Sequence, residues 1–251
     1  MTSETTAAPT DMGLVAFYQP FYNLMSGEMQ GVEALARRRT PGAATLPEGL
    51  TEESETAPEV SPRDIDLFIL EDALGRLARW SNDAGKENLK LSVNLSVEFT
   101  THPDMIEDIV SALRRHGVTP DRLLVDLSVA VYRRTTDNTE FPQHVRELQD
   151  AGFTTCLDGF TIDDLDVLEL ALLNRVDIVK LHPSQPGMGE DMLRYVAERV
   201  HEQGVPIVAA GVETAEQLDL VRDLGCAWAQ GYLIGEPVEG DEVLSAPAAL
   251  S

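Results

Sequence analysis

The chain has 251 residues, 43% of them hydrophobic, enough apolar material for one large domain or two small ones with a proper core. Its 43 Asp and Glu against 19 Lys and Arg give a formal net charge of −24, which argues against nucleic acid as a partner because the bulk field repels phosphate. No apolar run approaches the length of a membrane span and the opening "MTSETTAAPTDM" has no basic start or apolar signal core, so a cytoplasmic protein is expected.

In chain order, residues 1–13 read as a disordered tail, and the first two candidate strands follow in "LVAFYQP" and "QGVEALA". The link between them, "YNLMSGEM", has Ser26 and Gly27 as turn formers and no room for a crossover helix, so it predicts an antiparallel hairpin. Residues 40–62, rich in Pro, Gly, Thr and Glu, read as an acidic mobile loop. Amphipathic helical patterns then alternate with strands. The helices lie in "DIDLFILEDALGRLARW", "DMIEDIVSALRRHG", "FPQHVRELQDAG", "DDLDVLELALLN" and "EDMLRYVAERVHEQG", with Gly152 and Gly204 as stops; the strands lie in "LKLSVNLS", "LLVDLSV", "TTCLDGF", "DIVKLH", "IVAAGVE" and "WAQGYLI". With the hairpin this makes eight strands, which predicts a closed (β/α)8 barrel over residues 14–240 and a short tail over 241–251. Cys156 and Cys226 sit in apolar runs and are expected as buried thiols rather than a disulfide.

In such a barrel, chemistry collects at the C-terminal strand ends. Glu33, Asn94, Asp126, Asp158, Lys180 and Glu213 fall there, each flanked by apolar residues, with Arg37 four residues beyond Glu33. Polar groups inside apolar strands are costly unless they converge on something that satisfies them. Carboxylate and amide oxygens converging from different strands suit a hard divalent cation such as Mg²⁺.

The ordered segments "FYQPFYNLMSGEMQGVEALAR", "LSVNLS", "LLVDLS", "LDGF", "DIVKLH", "AAGVETAEQL" and "LGCAWAQGYLIGEPV" resemble the successive motifs of the EAL family of cyclic di-GMP phosphodiesterases, over residues 14–239. The resemblance implies a TIM-like barrel whose first strand is antiparallel, in agreement with the hairpin. It also implies metal positions at Glu33, Asn94, Asp126 and Asp158, ligand contacts at Gln19, Arg37 and Gln230, and vestigial catalytic groups at Lys180 and Glu213. Four departures matter. The family's Glu-Ile-Thr-Glu is Asp126-Leu127-Ser128-Val129 here, its paired acids are Asp158-Gly159, and its Ala-Glu-Gly-Val-Glu is Ala209-Ala210-Gly211-Val212-Glu213. The family's Lys-Ile-Asp is Lys180-Leu181-His182, with His182 read as a surface or core-edge residue and, as the alternative, a replacement ligand.

Two-metal phosphodiester hydrolysis needs bridging carboxylates holding ions about 3.5–4 Å apart, and Gly159 and Ala210 offer no oxygen. The expectation is a degenerate family member without turnover, acting as a cyclic di-GMP receptor or a protein-interaction regulator. The alternative is a weakly active metal-dependent phosphodiesterase in which Asp163 or Asp164 is repositioned as a ligand; a third reading puts another small-molecule or metal function on the same barrel. Mg²⁺ or Mn²⁺ is the cofactor if any metal is retained. A protein partner is expected and a homodimer is an option, but no fused GGDEF, PAS or receiver module. The acids Glu48, Glu52, Glu53, Glu55 and Glu59 in the loop are expected to weaken binding of a dianionic ligand.

Overall fold

The architecture comes from a computed structural model, which describes residues 13–40, 43–45, 60–83, 85–135 and 141–245. The tail through residue 12, the acidic segment 46–59 with its five glutamates, and residues 246–251 lie outside the described residues.

Strands β1 (Leu14–Asn23) and β2 (Met29–Thr40) form the antiparallel hairpin that the short link requires, with Gln19 opposite Glu33. The turn is held by Asn23, whose Oδ1 accepts the N–H groups of Met25 and Ser26 at 2.9 Å, and by Gly27 at a φ of 71°. From β2 a run of parallel neighbours continues through β4 (Lys90–Asn94), β5 (Leu123–Ser128), β6 (Thr154–Asp158), β7 (Ile178–Leu181), β8 (Ile207–Ala209) and β9 (Trp228–Ala229). Strand β9 then pairs antiparallel with β1 at Tyr22 and Asn23, and the barrel is closed. Two short strands lie outside the ring: β3 (Ala43–Thr45) extends β2, and β10 (Val238–Glu239) pairs with β1 at Phe17 and Tyr18.

The helices are α1 (Pro62–Trp80), α2 (Val97–Thr100), α3 (Met105–His116), α4 (Val129–Thr135), α5 (Phe141–Asp150), α6 (Leu165–Leu173), α7 (Glu190–His201) and α8 (Ala215–Asp223). None among the described residues is long and apolar enough to cross a membrane. Alternation along each strand sorts side chains to two sides of the barrel wall. Val32, Leu91, Val93, Leu123, Val125, Leu157, Val179 and Ile207 face the helices and join their apolar stripes in the main core. Phe21, Leu124, Cys156, Ile178 and Val208 face inward and, with Trp228, fill the barrel floor. Gly31 makes room for the Phe21 ring there, since a Cβ on it would lie 2.4 Å from the Phe21 Cζ. Both cysteines are buried and free.

The chain continues past β10 into a 3-10 turn over Gly240–Ser245, where the sequence pattern predicts only a tail. Val243 is fully buried, and Asp241 accepts the Trp80 indole N–H at 2.8 Å, so the turn is fastened to α1.

Candidate ligand and metal site

Above the apolar floor the inward positions become polar. Residues two apart on a strand share a face, so Asp126 stands one layer above Leu124, Lys180 above Ile178 and Asp158 above Cys156. The buried Lys180 ammonium is the hub: its Nζ lies 2.6 Å from Asp126 Oδ2, 3.2 Å from Asp158 Oδ2 and 3.3 Å from Glu33 Oε2. Around it, Ser92 Oγ donates to Asp126 Oδ2 at 2.7 Å, Asn94 Nδ2 donates to Glu33 Oε1 at 2.5 Å, and Gln230 Nε2 donates to Glu33 Oε2 at 2.7 Å. Gln230 also reaches Gln19 Oε1 at 2.9 Å, while Gln19 itself donates to the Gly235 carbonyl. Seven strands thus contribute to one network, or continue directly into it.

The electrostatics follow from this packing. Burial works against the Lys180 charge, but Asp126, Glu33 and Asp158 outweigh it and hold its pKa well above the ordinary lysine value. Burial pushes the Asp126 carboxyl up, to about 7, against the pull of Lys180. Burial also opposes ionisation of Asp158, yet there Lys180 and His182 prevail and hold the carboxyl well below the usual range. The two aspartates, on neighbouring strands, are therefore driven in opposite directions. Cys156, beneath them, is pushed up by burial and by the Asp126 charge, so it is inert as a nucleophile.

His182 belongs to this site rather than to the edge of the core. It shares its inward parity with Lys180, and its Nε2 lies 2.6 Å from Asp158 Oδ1. The parity is legible in "DIVKLH"; the core-edge expectation fails because β7 stops at Leu181, whereas the inward alternation continues one residue further. Ser92 joins the site without having been singled out by sequence, although it precedes Asn94 by two residues on the same face of β4.

Other expected site residues lie further out. Arg37, on the same face of β2 as Glu33, is half-buried and donates from Nη1 to the Ala36 carbonyl at 2.8 Å. Glu213 is exposed and is not brought into the cluster. Gly211, at a φ of 71°, turns the chain after β8, and Glu213 ends at the entry to α8, where its backbone N–H donates to Gln217 Oε1. Ala210 is buried and Val129 opens α4. Gly159 has a φ of 73° and open space where a side chain would go. Asp164, a candidate substitute ligand, is engaged elsewhere: it accepts from the Thr161 backbone at 2.9 Å and hydroxyl at 2.7 Å and pairs with Arg133. Asp163 is exposed, with its N–H bonded to Thr161 Oγ1, and stays outside the cluster with it.

One oxygen each from Glu33, Asp126 and Asp158 lies within 4.8 Å of the others, which suits a hard divalent cation. Asp126 Oδ1 is buried and has no hydrogen-bond partner, so one acceptor in the set is left to be satisfied. These residues fit a single ion.

The sequence matches the family model described as the EAL domain over residues 5–237. Among curated proteins it is 28% identical over 242 residues to the bifunctional diguanylate cyclase/cyclic di-GMP phosphodiesterase MucR of Pseudomonas aeruginosa, covering 94% of this chain and 34% of that protein. Among solved structures, the MucR phosphodiesterase in complex with c-di-GMP superposes with a TM-score of 0.79 at 23% identity, covering 94% of this chain and 96% of the other. The Bacillus subtilis YkuI protein, in complex with c-di-GMP and calcium, superposes at 0.74 with 16% identity, covering 93% and 59%. The chain spans about a third of the length of the curated relatives it matches.

Proposed function

Because the chain belongs to the EAL domain family, we propose that it is a degenerate member that binds cyclic di-GMP in bacterial signalling without hydrolysing it. The observation that carries this reading is the state of Asp158. Both of its oxygens are held by nitrogen donors, Lys180 on Oδ2 and His182 on Oδ1, and the next residue, Gly159, has no side chain to add. A catalytic centre that must present free carboxylate oxygens to two ions is thereby reduced to one that is largely self-neutralised.

Ligand binding needs different groups. Gln19 and Gln230 lie in the upper layer of the barrel, and Arg37 offers a guanidinium suited to a phosphodiester. If a metal is retained, Glu33, Asn94, Asp126 and Asp158 would hold one Mg²⁺ or Mn²⁺ ion, which would supply charge neutralisation to a bound phosphate. Lys180 would then orient those carboxylates from below. The unpartnered Asp126 Oδ1 favours a second reading, a slow metal-dependent phosphodiesterase.

Titration calorimetry with cyclic di-GMP in Mg²⁺ and in EDTA, followed by chromatography of the nucleotide, separates the readings. The expected result is binding in both buffers with intact nucleotide recovered. Linear dinucleotide appearing only with metal would favour slow turnover. Absence of heat would move the function to a protein partner, to be sought by pull-down.

A further inference from the structure

The cluster contains more positive character than an ion site calls for. Lys180 alone contacts three carboxylates, and His182 adds a contact to the carboxylate that Lys180 already holds. With Lys180 Nζ 3.2 Å from its other oxygen, Asp158 is placed as the acceptor, and the His182 Nε2 at 2.6 Å from Oδ1 is placed to donate to it. The Nδ1 side faces Gly211, on which an added Cβ would lie 3.8 Å from Nδ1, an ordinary contact distance. The loops beneath are tied together as well: Ser184 Oγ donates to the Gly211 carbonyl at 2.9 Å and accepts from Gln217 Nε2 at 3.0 Å.

We infer that Lys180 and His182 form an internal clamp of nitrogen groups on Asp158 that competes with a divalent ion for the acidic cluster, with His182 as the removable half that sets how tightly metal is taken. The inference rests on the reading of Glu33, Asp126 and Asp158 as the ion's ligands. Lys180 cannot be the adjustable half, because it is buried among three carboxylates and its loss would leave them uncompensated. His182 touches only Asp158 among them, and its side chain keeps 28% of its surface exposed, so it can be exchanged with little effect on folding. An ion approaching Asp158 must displace the imidazole N–H from Oδ1 before it can use that oxygen.

The test is Mn²⁺ titration of the nucleotide-free protein at fixed pH, read from the electron paramagnetic resonance signal of free Mn²⁺. His182→Ala should bind Mn²⁺ about tenfold more tightly than the parent, the scale on which neighbours of metal ligands tune affinity. His182→Gln, which keeps a neutral N–H in nearly the same place, should return toward the parent value. Equal affinity in parent and His182→Ala overturns the clamp. Weaker binding in His182→Ala overturns it too, since His182 would then be a ligand or a support for one. Absence of binding in every variant also overturns it. Titration of the same samples with cyclic di-GMP in EDTA is independent of the clamp: lost nucleotide binding there defeats the receptor reading alone.

Discussion

Asp66 and Asp158 are carboxylates removed from bulk water, and only the second has a lysine ammonium beside it. Asp66, on α1, accepts the Ser96 N–H at 2.8 Å, but burial dominates and lifts its pKa to about 7 from 3.8. Between those two values the folded state holds a proton that the unfolded chain has released, so Asp66 makes stability fall as pH rises across that window. Asp66→Asn keeps the acceptor and removes the charge. Its urea midpoint should show a shallower decline over this pH range, with a gain on the order of 2 kcal/mol above pH 7; an unchanged pH profile would show that Asp66 is not the source. Asp158 has the opposite sign: its depressed folded pKa contributes stability above the unfolded value, lost as pH falls through the folded one. At Gly159, an added Cβ meets nothing within 4 Å, so the strain is confined to the left-handed backbone and is about 1 kcal/mol for Asp. Gly159→Asp, combined with Ala210→Glu at a buried position, should give detectable linear dinucleotide from cyclic di-GMP; a folded double variant whose chromatography shows none would locate the block outside the missing acids. Glu33, Asp126 and Lys180 are legible as site residues from sequence because a charge inside an apolar strand is costly to bury unless partners compensate it. Glu213 lies outside the cluster because Gly211 breaks the alternation that strand periodicity extends. Asp66 gives no signal, since a polar residue on a helix is ordinarily solvent-facing.

The elements that sequence pattern recovers are those with long apolar periodicity, and those it misses are short or defined by caps. Helix α8 is one of the latter: Thr214 and Gln217 form a capping box in which Gln217 N–H donates to Thr214 Oγ1 at 3.3 Å and Thr214 N–H donates to Gln217 Oε1 at 3.1 Å. Helix α2 and strands β3 and β10 are too brief to carry a period at all. The β6–α6 connection follows the same logic. Thr161 and Asp164 form a second capping box, and Arg133 from α4 pairs with Asp164 from outside. This fastening holds the connection that leaves Asp158 and Gly159, beside an α4 that begins with apolar Val129. Asp164→Ala removes both the cap and the ion pair and should lower stability by about 1–2 kcal/mol in denaturant titration. Hydrogen exchange of the amides at 159–164 should accelerate in the same variant, whereas Arg133→Ala, which leaves the cap in place and removes a half-exposed ion pair, should cost less than about 1 kcal/mol. Equal losses would show that the cap contributes nothing.

At the scale of the molecule, 43 acids against 19 bases make self-repulsion a standing term in stability. Screening should therefore stabilise: raising NaCl from about 0.05 to 0.5 M is expected to lift the thermal midpoint by about 2–4 °C, equivalent to roughly 1 kcal/mol. A fall would mean that surface pairs such as Arg199–Glu169 outweigh the repulsion. The pairing of β1 with β9 and β10 carries a separate implication. The earliest strand of the ring is sealed by the latest, so during synthesis the hairpin emerges from the ribosome with one edge unpaired and waits until about 200 further residues have been made. Over that interval the nascent chain is an open sheet, exposed to chaperones and to other copies of itself, and the final closure, the least local pairing of the ring, is expected to be the slow step of maturation.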